Sequence, residues 1–365
     1  MGISTLSLLL DSKPFLKSLT LVRTKCGAEG FKTFTSALAL NQGLEEVRLS
    51  LPRQGIDKQS LENFGTMFTK NQTLKLLWFE DGKLMHIHSL AIGLANSQSL
   101  KTLGLVSVHI DDESVRVLME LLNGNCVLKE LNLSWNHISD LGASYLAEHL
   151  KRQNQCLASL DLTQNSIGDQ GAEMISTALR MNSTLKFLSL ASNRIGATGA
   201  NALARSLQEN KSLQTLKLMK SSLEKDSWGA FLEALRSNHT LLDLDYSNRS
   251  KYAYEIHDAL EYNKVIVASQ SRLQHLHTME VVRAISLQFQ LPCTAPKIST
   301  GTSASKRKAA PKVDAKLSLD GTSRTSDILH EKSLTHAKIQ AEISLIEKLL
   351  DGFTSPMLAP YLLSL

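Results

Sequence analysis

Between residues 128 and 195 one pattern occurs three times in succession, and it constrains the fold more than any other feature of the chain. LKELNLSWNHI begins at Leu128, LASLDLTQNSI at Leu157 and LKFLSLASNRI at Leu185, so the starts are 29 and 28 residues apart. A fixed period of roughly 20–50 residues is typical of stacked units, because no single unit can bury its apolar face alone. The chain is therefore expected to form a solenoid.

Each unit contains the signals for one strand and one helix. Leu131 and Leu133 alternate with polar residues, which predicts a short strand with its leucines on one side. Downstream, Ala143, Leu146 and Leu150 have the spacing of one helical face. Repeated strand–helix units predict parallel strands that are connected by helical crossovers.

Polar residues and glycines punctuate the units at fixed places. Asp140 and Asp169 lie where a helix would be capped, and Gly171 in the first turn is expected to let strand and helix backbones approach closely. Asn136, with its equivalents Asn165 and Asn193, is expected to bond the turn backbone, and the outer units that lack this asparagine are predicted to be less regular. The N-x-S/T triplets at Asn71, Asn182 and Asn238 are interpreted as turn residues rather than glycosylation sites.

Units of 28 to 29 residues with the continuation xNxIGDxGA resemble the ribonuclease-inhibitor-like subfamily of leucine-rich repeat proteins. The resemblance implies an α/β horseshoe solenoid with parallel strands on the concave face and helices on the convex face. Similar repeats occur in NACHT-type immune receptors, Ran GTPase-activating proteins, tropomodulin-like proteins and flagellar dynein-regulatory proteins. Because one fold hosts such different partners, the resemblance does not identify the function.

The sequence predicts four segments. Residues 1–268 form an array of about nine repeats, and residues 269–291 form a closing helix. Residues 292–325 are rich in Ser, Thr, Ala, Lys and Pro and are predicted to be a disordered basic linker. Residues 326–365 are predicted to be an amphipathic helix and tail.

The C-terminal helix carries a narrow apolar seam. Ile339, Ile343, Ile346 and Leu350 are spaced by four, three and four residues, which is typical of a helix that packs on another element. This helix could dock on a helix of a partner or fold back on the array. Docking on a partner is favoured.

Any specific binding is expected on the concave sheet, where leucine packing does not dictate the side chains. Exposed tryptophan and arginine are enriched at interface hot spots. The predicted partner-binding residues of the array are Arg48, Trp78, Trp135, Asp161, Lys217, Lys220 and Asp245. The alternative for Trp78 and Trp135 is that they only cover neighbouring strands.

Motifs for catalysis, metals and cofactors are absent from the sequence. It contains no phosphate-binding loop, no H-E-x-x-H and no G-x-S-x-G. His86 with His88, and His275 with His277, lack a third ligand at a diagnostic spacing and are interpreted as solvated. The basic linker accounts for the whole formal net charge of +5, so the near-neutral array argues against a nucleic-acid surface.

These observations predict a non-enzymatic scaffold that binds a protein partner on the concave face, with no small-molecule substrate and no cofactor. A regulator of a Ran-type small GTPase is one alternative, and a structural subunit of a cytoskeletal or flagellar assembly is another. No apolar run approaches the roughly 20 residues of a membrane span. The predicted location is the cytoplasm, with the cytoskeleton and the nucleus as further possibilities.

Overall fold

The computed structural model describes the repeat array and the helix that follows it. The described residues are 10, 15–22, 28–50, 56–84, 86–123, 125–152, 156–219, 227–246 and 250–289, with side chains only as far as residue 272 in the last range. The predicted linker, the C-terminal helix and its seam of Ile339, Ile343, Ile346 and Leu350 lie outside these residues.

Nine described strands form one parallel sheet in which every strand pairs with its neighbours in sequence. They are β1 Ser18–Leu21, β2 Glu46–Ser50, β3 Leu76–Glu80, β4 Thr102–Val106, β5 Glu130–Asn132, β6 Ser159–Asp161, β7 Phe187–Ser189, β8 Thr215–Lys217 and β9 Asp243–Asp245. Leu131 is opposite Leu160, which is opposite Leu188, so equivalent residues of successive units form rows.

A described helix follows each strand. These are α1 Ala28–Leu40, α2 Lys58–Met67, α3 Ile87–Ala95, α4 Asp112–Leu121, α5 Asp140–Lys151, α6 Asp169–Met181, α7 Ala197–Glu209, α8 Trp228–Leu235 and α9 Ala253–Phe289. Ala143, Leu146 and Leu150 are at most 1% exposed, as the helical spacing predicted. The strand leucines and this helical face form one continuous core, which confirms the predicted α/β repeat solenoid.

Asparagine side chains tie each central unit to the preceding one. The Asn136 amide nitrogen donates to the Leu105 carbonyl at 2.7 Å, and its oxygen accepts from the Val108 and Ile110 N–H groups at 3.1 and 2.9 Å. Asn182, in one of the N-x-S/T triplets, is buried and donates in the same manner to the Leu150 carbonyl at 2.9 Å. Both asparagines therefore satisfy buried backbone groups that a single unit leaves unpaired.

Loss of the turn asparagine does not disrupt the units where Gly82 or Val108 replaces it. β3 and β4 are in register over five residue pairs, so the predicted irregularity is wrong for these two strands. Backbone groups take over from the missing amide, since Gly82 N–H donates to the Ser107 carbonyl at 3.1 Å and Leu84 N–H donates to the Val108 carbonyl at 3.0 Å.

The aspartate at the start of a helix caps the next helix rather than its own. Ser139 is the N-cap of α5, whereas Asp140 Oδ1 accepts from the Gly168 and Gly171 N–H groups at 2.6 and 2.9 Å. A Cβ at Gly171 would lie 2.6 Å from this oxygen. The glycine is therefore needed because a carboxylate of the preceding helix approaches it, not because a strand does.

The last helix is longer than the sequence suggested. A closing helix was expected from residue 269, but α9 runs without a break from Ala253 to Phe289. The leucine period lapses after Asn263, yet no glycine or proline occurs before Pro292, so nothing in the sequence ends the helix earlier. The chain divides into two compact units between Lys264 and Val265. None of the described helices is long and apolar enough to span a bilayer.

Removal of the Asp140 carboxylate should weaken the contact between two units. We expect Asp140→Ala to lower the free energy of unfolding by about 1–2 kcal/mol, because two backbone donors of α6 lose their acceptor. Asp140→Asn keeps an acceptor oxygen and should lose less. Urea unfolding of the two variants measures the difference, and equal midpoints for Asp140→Ala and the unsubstituted chain would contradict the capping role.

A buried histidine lies in the core of the fifth unit. His149 is 8% exposed, and its Nδ1 has no hydrogen-bond partner among the described residues. Burial, followed by the charge of Arg152, lowers the pKa of His149 from 6.5 to about 4, although a hydrogen bond with the Met119 backbone opposes the shift. The folded state therefore favours the neutral imidazole.

This shift predicts a loss of stability in weak acid. The unfolded chain binds the His149 proton near pH 6.5 and the folded chain only near pH 4, so the histidine's contribution disappears as the pH falls through this window. The loss should approach about 3 kcal/mol. Unfolding measured from pH 7 to pH 4 should have a shallower pH dependence in His149→Leu, and parallel profiles would refute the assignment.

Candidate protein-binding face

The strand residues that point away from the helices form regular rows, which we call the sheet face. One row contains the middle residues of the strands, in register from one unit to the next. Its members are Thr20, Arg48, Trp78, Gly104, Asn132, Asp161, Ser189, Lys217 and Asp245. The sequence pattern placed five predicted binding residues in this row, and the register brings Arg48 next to Trp78 and Lys217 next to Asp245.

Trp78 packs within the sheet face. Its indole lies over Gly104 of the next strand, where a Cβ would overlap the six-membered ring. The Arg48 guanidinium of the preceding strand lies over the ring, 5.0 Å from its centroid, and the indole Nε1 donates to Glu80 Oε2 at 3.2 Å. Trp78 is therefore half-buried, and much of its apolar surface is used by neighbouring strands.

Trp135 has a different environment. It follows β5 in a turn with a φ of 60°, in the left-handed region that bulky residues rarely adopt. Its side chain is 59% exposed. The equivalent residues of other units have φ between 54° and 59°, and they are Asp81, Ser107, Gln164 and Ser192. The turn therefore requires the left-handed conformation but no tryptophan.

Asp161 is tied to its own sheet. Its Oδ2 accepts from the Asn132 amide at 3.1 Å and its Oδ1 accepts from the Thr163 N–H at 2.9 Å. The carboxylate is half-buried. The Asp161 carboxylate therefore stabilises the end of its strand through these two hydrogen bonds and is only partly available to a partner.

Lys217 and Asp245 lie on the last two strands. Lys217 Nζ forms an ion pair with Asp243 Oδ2 at 2.6 Å, and both side chains are partly exposed. Asp245 accepts from the N–H groups of Leu218 and Met219, and burial raises its pKa despite these two hydrogen bonds. Asp245 therefore supports the preceding turn, and Lys217 retains a solvent-facing charge.

The sheet face has a second row, which supplied none of the predicted binding residues; those came from the residue between the paired leucines and from the turn after the strand. The residue before the first of these leucines points the same way, and alternation alone could have identified it. This row is Ser18, Glu46, Leu76, Thr102, Glu130, Ser159, Phe187, Thr215 and Asp243. In the two rows together acidic residues outnumber basic ones by five to two, so the sheet face is acidic.

Lys220 lies outside the described residues. Among the residues that are described, no group of three or more His, Cys, Asp or Glu side chains is arranged to hold a metal ion.

The comparisons with known proteins agree with this geometry. A family model described as "Leucine Rich repeat" matches residues 124–147, 153–176 and 182–204, which are the central units. Together with the parallel sheet, this match identifies the central units. They are leucine-rich repeats of the ribonuclease-inhibitor-like type.

Similarity to curated proteins is restricted to about half of this leucine-rich repeat chain. It is 28% identical over 212 residues to human NACHT, LRR and PYD domains-containing protein 5, covering 49% of this chain and 17% of that protein. It is 28% identical over 178 residues to mouse ribonuclease inhibitor, covering 48% and 39%. The match thus spans well under two thirds of either relative.

Among solved structures, the C-terminal domain of tropomodulin from Caenorhabditis elegans is 23% identical, with a TM-score of 0.39, over 46% of this chain and 99% of that one. The repeats and the curated relatives together support a protein-interaction scaffold.

Trp78 should contribute to stability as well as to the surface. We expect Trp78→Ala to lower the free energy of unfolding by about 2 kcal/mol, because the ring that covers Gly104 and Arg48 is lost. Trp78→Phe retains a ring and should lose less than half as much. Chemical denaturation tests this, and an unchanged Trp78→Ala midpoint would show that the indole contributes nothing to the sheet.

Proposed function

We propose that this chain is a non-enzymatic scaffold that binds a protein partner across its sheet face and the adjoining turns, with Trp135, in the turn after β5, as the principal contact. The exposed indole of Trp135 carries the proposal. A serine, aspartate or glutamine occupies the same turn in other units, so the fold does not explain a tryptophan there. Tryptophan is enriched among residues that dominate binding energy, which supports a role in recognition.

The charge of the sheet face supports a basic partner surface. Five carboxylates and two basic side chains lie in its two rows, and Lys217 is already paired with Asp243. Complementary charge accelerates association and excludes like-charged surfaces. An acidic face would repel the phosphates of a nucleic acid. The near-neutral charge of the array also argues against a nucleic-acid partner.

A regulator of a Ran-type small GTPase and a structural subunit of a cytoskeletal or flagellar assembly stay as alternatives. No described contact favours a Ran-type GTPase or a cytoskeletal or flagellar assembly over any other protein partner. The seam of Ile339, Ile343, Ile346 and Leu350 is proposed as a second contact, and the cytoplasm is proposed as the location.

Replacement of Trp135 by the residue that the chain itself uses at Ser107 and Ser192 tests the proposal. We expect Trp135→Ser to weaken partner capture at least tenfold, since a central tryptophan contributes about 2 kcal/mol or more to binding. Thermal stability should not fall, because the turn accepts serine elsewhere. Quantitative mass spectrometry of proteins that the full chain captures from cell extract provides the measurement.

Gln164→Ser is the matched control, because Gln164 is exposed and occupies the same left-handed turn in the next unit. Its captured proteins should equal those of the unsubstituted chain. If Trp135→Ser and Gln164→Ser both retain every captured protein at full yield, Trp135 is not the contact and the proposal fails.

A further inference from the structure

Two histidines from neighbouring units meet at the end of the sheet where the strands run into their turns. His109 follows β4 and His137 follows β5, 28 residues later. His137 Nε2 lies 3.1 Å from His109 Nδ1, and the ring centroids are 5.1 Å apart. Both side chains are exposed. The repeat register brings the two imidazoles together, although they are distant in sequence.

The distance between these nitrogens matches the requirement of a metal ion. Zinc binds imidazole nitrogen at about 2.0–2.1 Å with tetrahedral geometry, which places two ligand nitrogens about 3.3 Å apart. The observed 3.1 Å is close to that value. In the metal-free protein the same two nitrogens can form a hydrogen bond with each other. This bond keeps both rings close to the positions that metal binding requires.

The surroundings favour a cation. The carboxylate of Asp111 caps α4, where it accepts from the Ser114 N–H at 2.9 Å and from the Ser114 hydroxyl at 2.6 Å. It lies two residues after His109 in the chain. His109 and Asp111 also line an open cavity of about 390 Å³ with Glu113, so water has access to the ion.

We propose that His109 and His137 form a binding site for a divalent transition-metal ion such as zinc. No third ligand is gathered among the described residues, so at least two coordination positions are left for water or for a side chain of a bound partner. Trp135 lies two residues before His137, which places these open positions at the same turn as the proposed partner contact.

Zinc titration of the full chain, with any affinity tag removed, tests the site by calorimetry. With two of the four ligands of a structural zinc site, we expect one ion per chain and a dissociation constant on the order of 10–100 µM. His109→Ser and His137→Ser should each weaken binding at least tenfold. Serine is a mild replacement, because Ser166 occupies the equivalent position in the next unit.

His88→Ser is the control, because His88 lines the same cavity but is not one of the two proposed ligands. Its affinity should remain within twofold of the unsubstituted chain. Equal zinc affinity in the chain that lacks both His109 and His137 would place the ion on other histidines or on cysteines and overturn the proposal. No heat of binding up to about 1 mM zinc would overturn it as well.

Discussion

Hydrogen bonds between a side chain of one unit and the backbone of a neighbouring unit are the interaction on which the array depends. A single strand–turn–helix unit leaves buried N–H and C=O groups unpaired at both ends of its helix. Asn136 and Asn182 satisfy such groups at the turn and at the helix end, and Asp140 satisfies two more at the start of α6. Each unit is therefore completed by its neighbour, which makes stability a nearest-neighbour property.

This arrangement separates the residues that make the fold from those that can recognise a partner. The inward leucines form the core, and the asparagine and aspartate side chains bond the backbone groups. The residues of the sheet face are not needed for either purpose and can vary. The separation is incomplete, because Trp78 packs on Gly104 and Asp245 bonds the turn of the preceding unit. Of the predicted binding residues that the structure describes, Trp135 has the largest exposed apolar surface and the weakest structural reason to be there.

The periodic part of the molecule could be predicted from the sequence because its cause is local. Leucine alternation and the helical spacing at Ala143 and Leu146 determine which side chains are buried, and no knowledge of the partner unit is needed. The contact between His109 and His137 was not predicted, because the 28-residue period aligns the two positions but does not fix the direction of their side chains. The same holds for the Asp140 carboxylate, which bonds the following helix, and for the indole of Trp78.

The left-handed turn after each strand has a consequence for how such a protein changes its specificity. Its backbone is held by hydrogen bonds to the next unit, as when Trp135 N–H donates to the Thr163 carbonyl at 2.8 Å and Gln164 N–H to the Ala191 carbonyl at 2.9 Å. Side chains as different as aspartate, serine, glutamine and tryptophan therefore occupy the same conformation. A mutation at this position changes the side chain that the surface exposes and leaves the backbone unchanged. Binding specificity can therefore change through single substitutions in these turns.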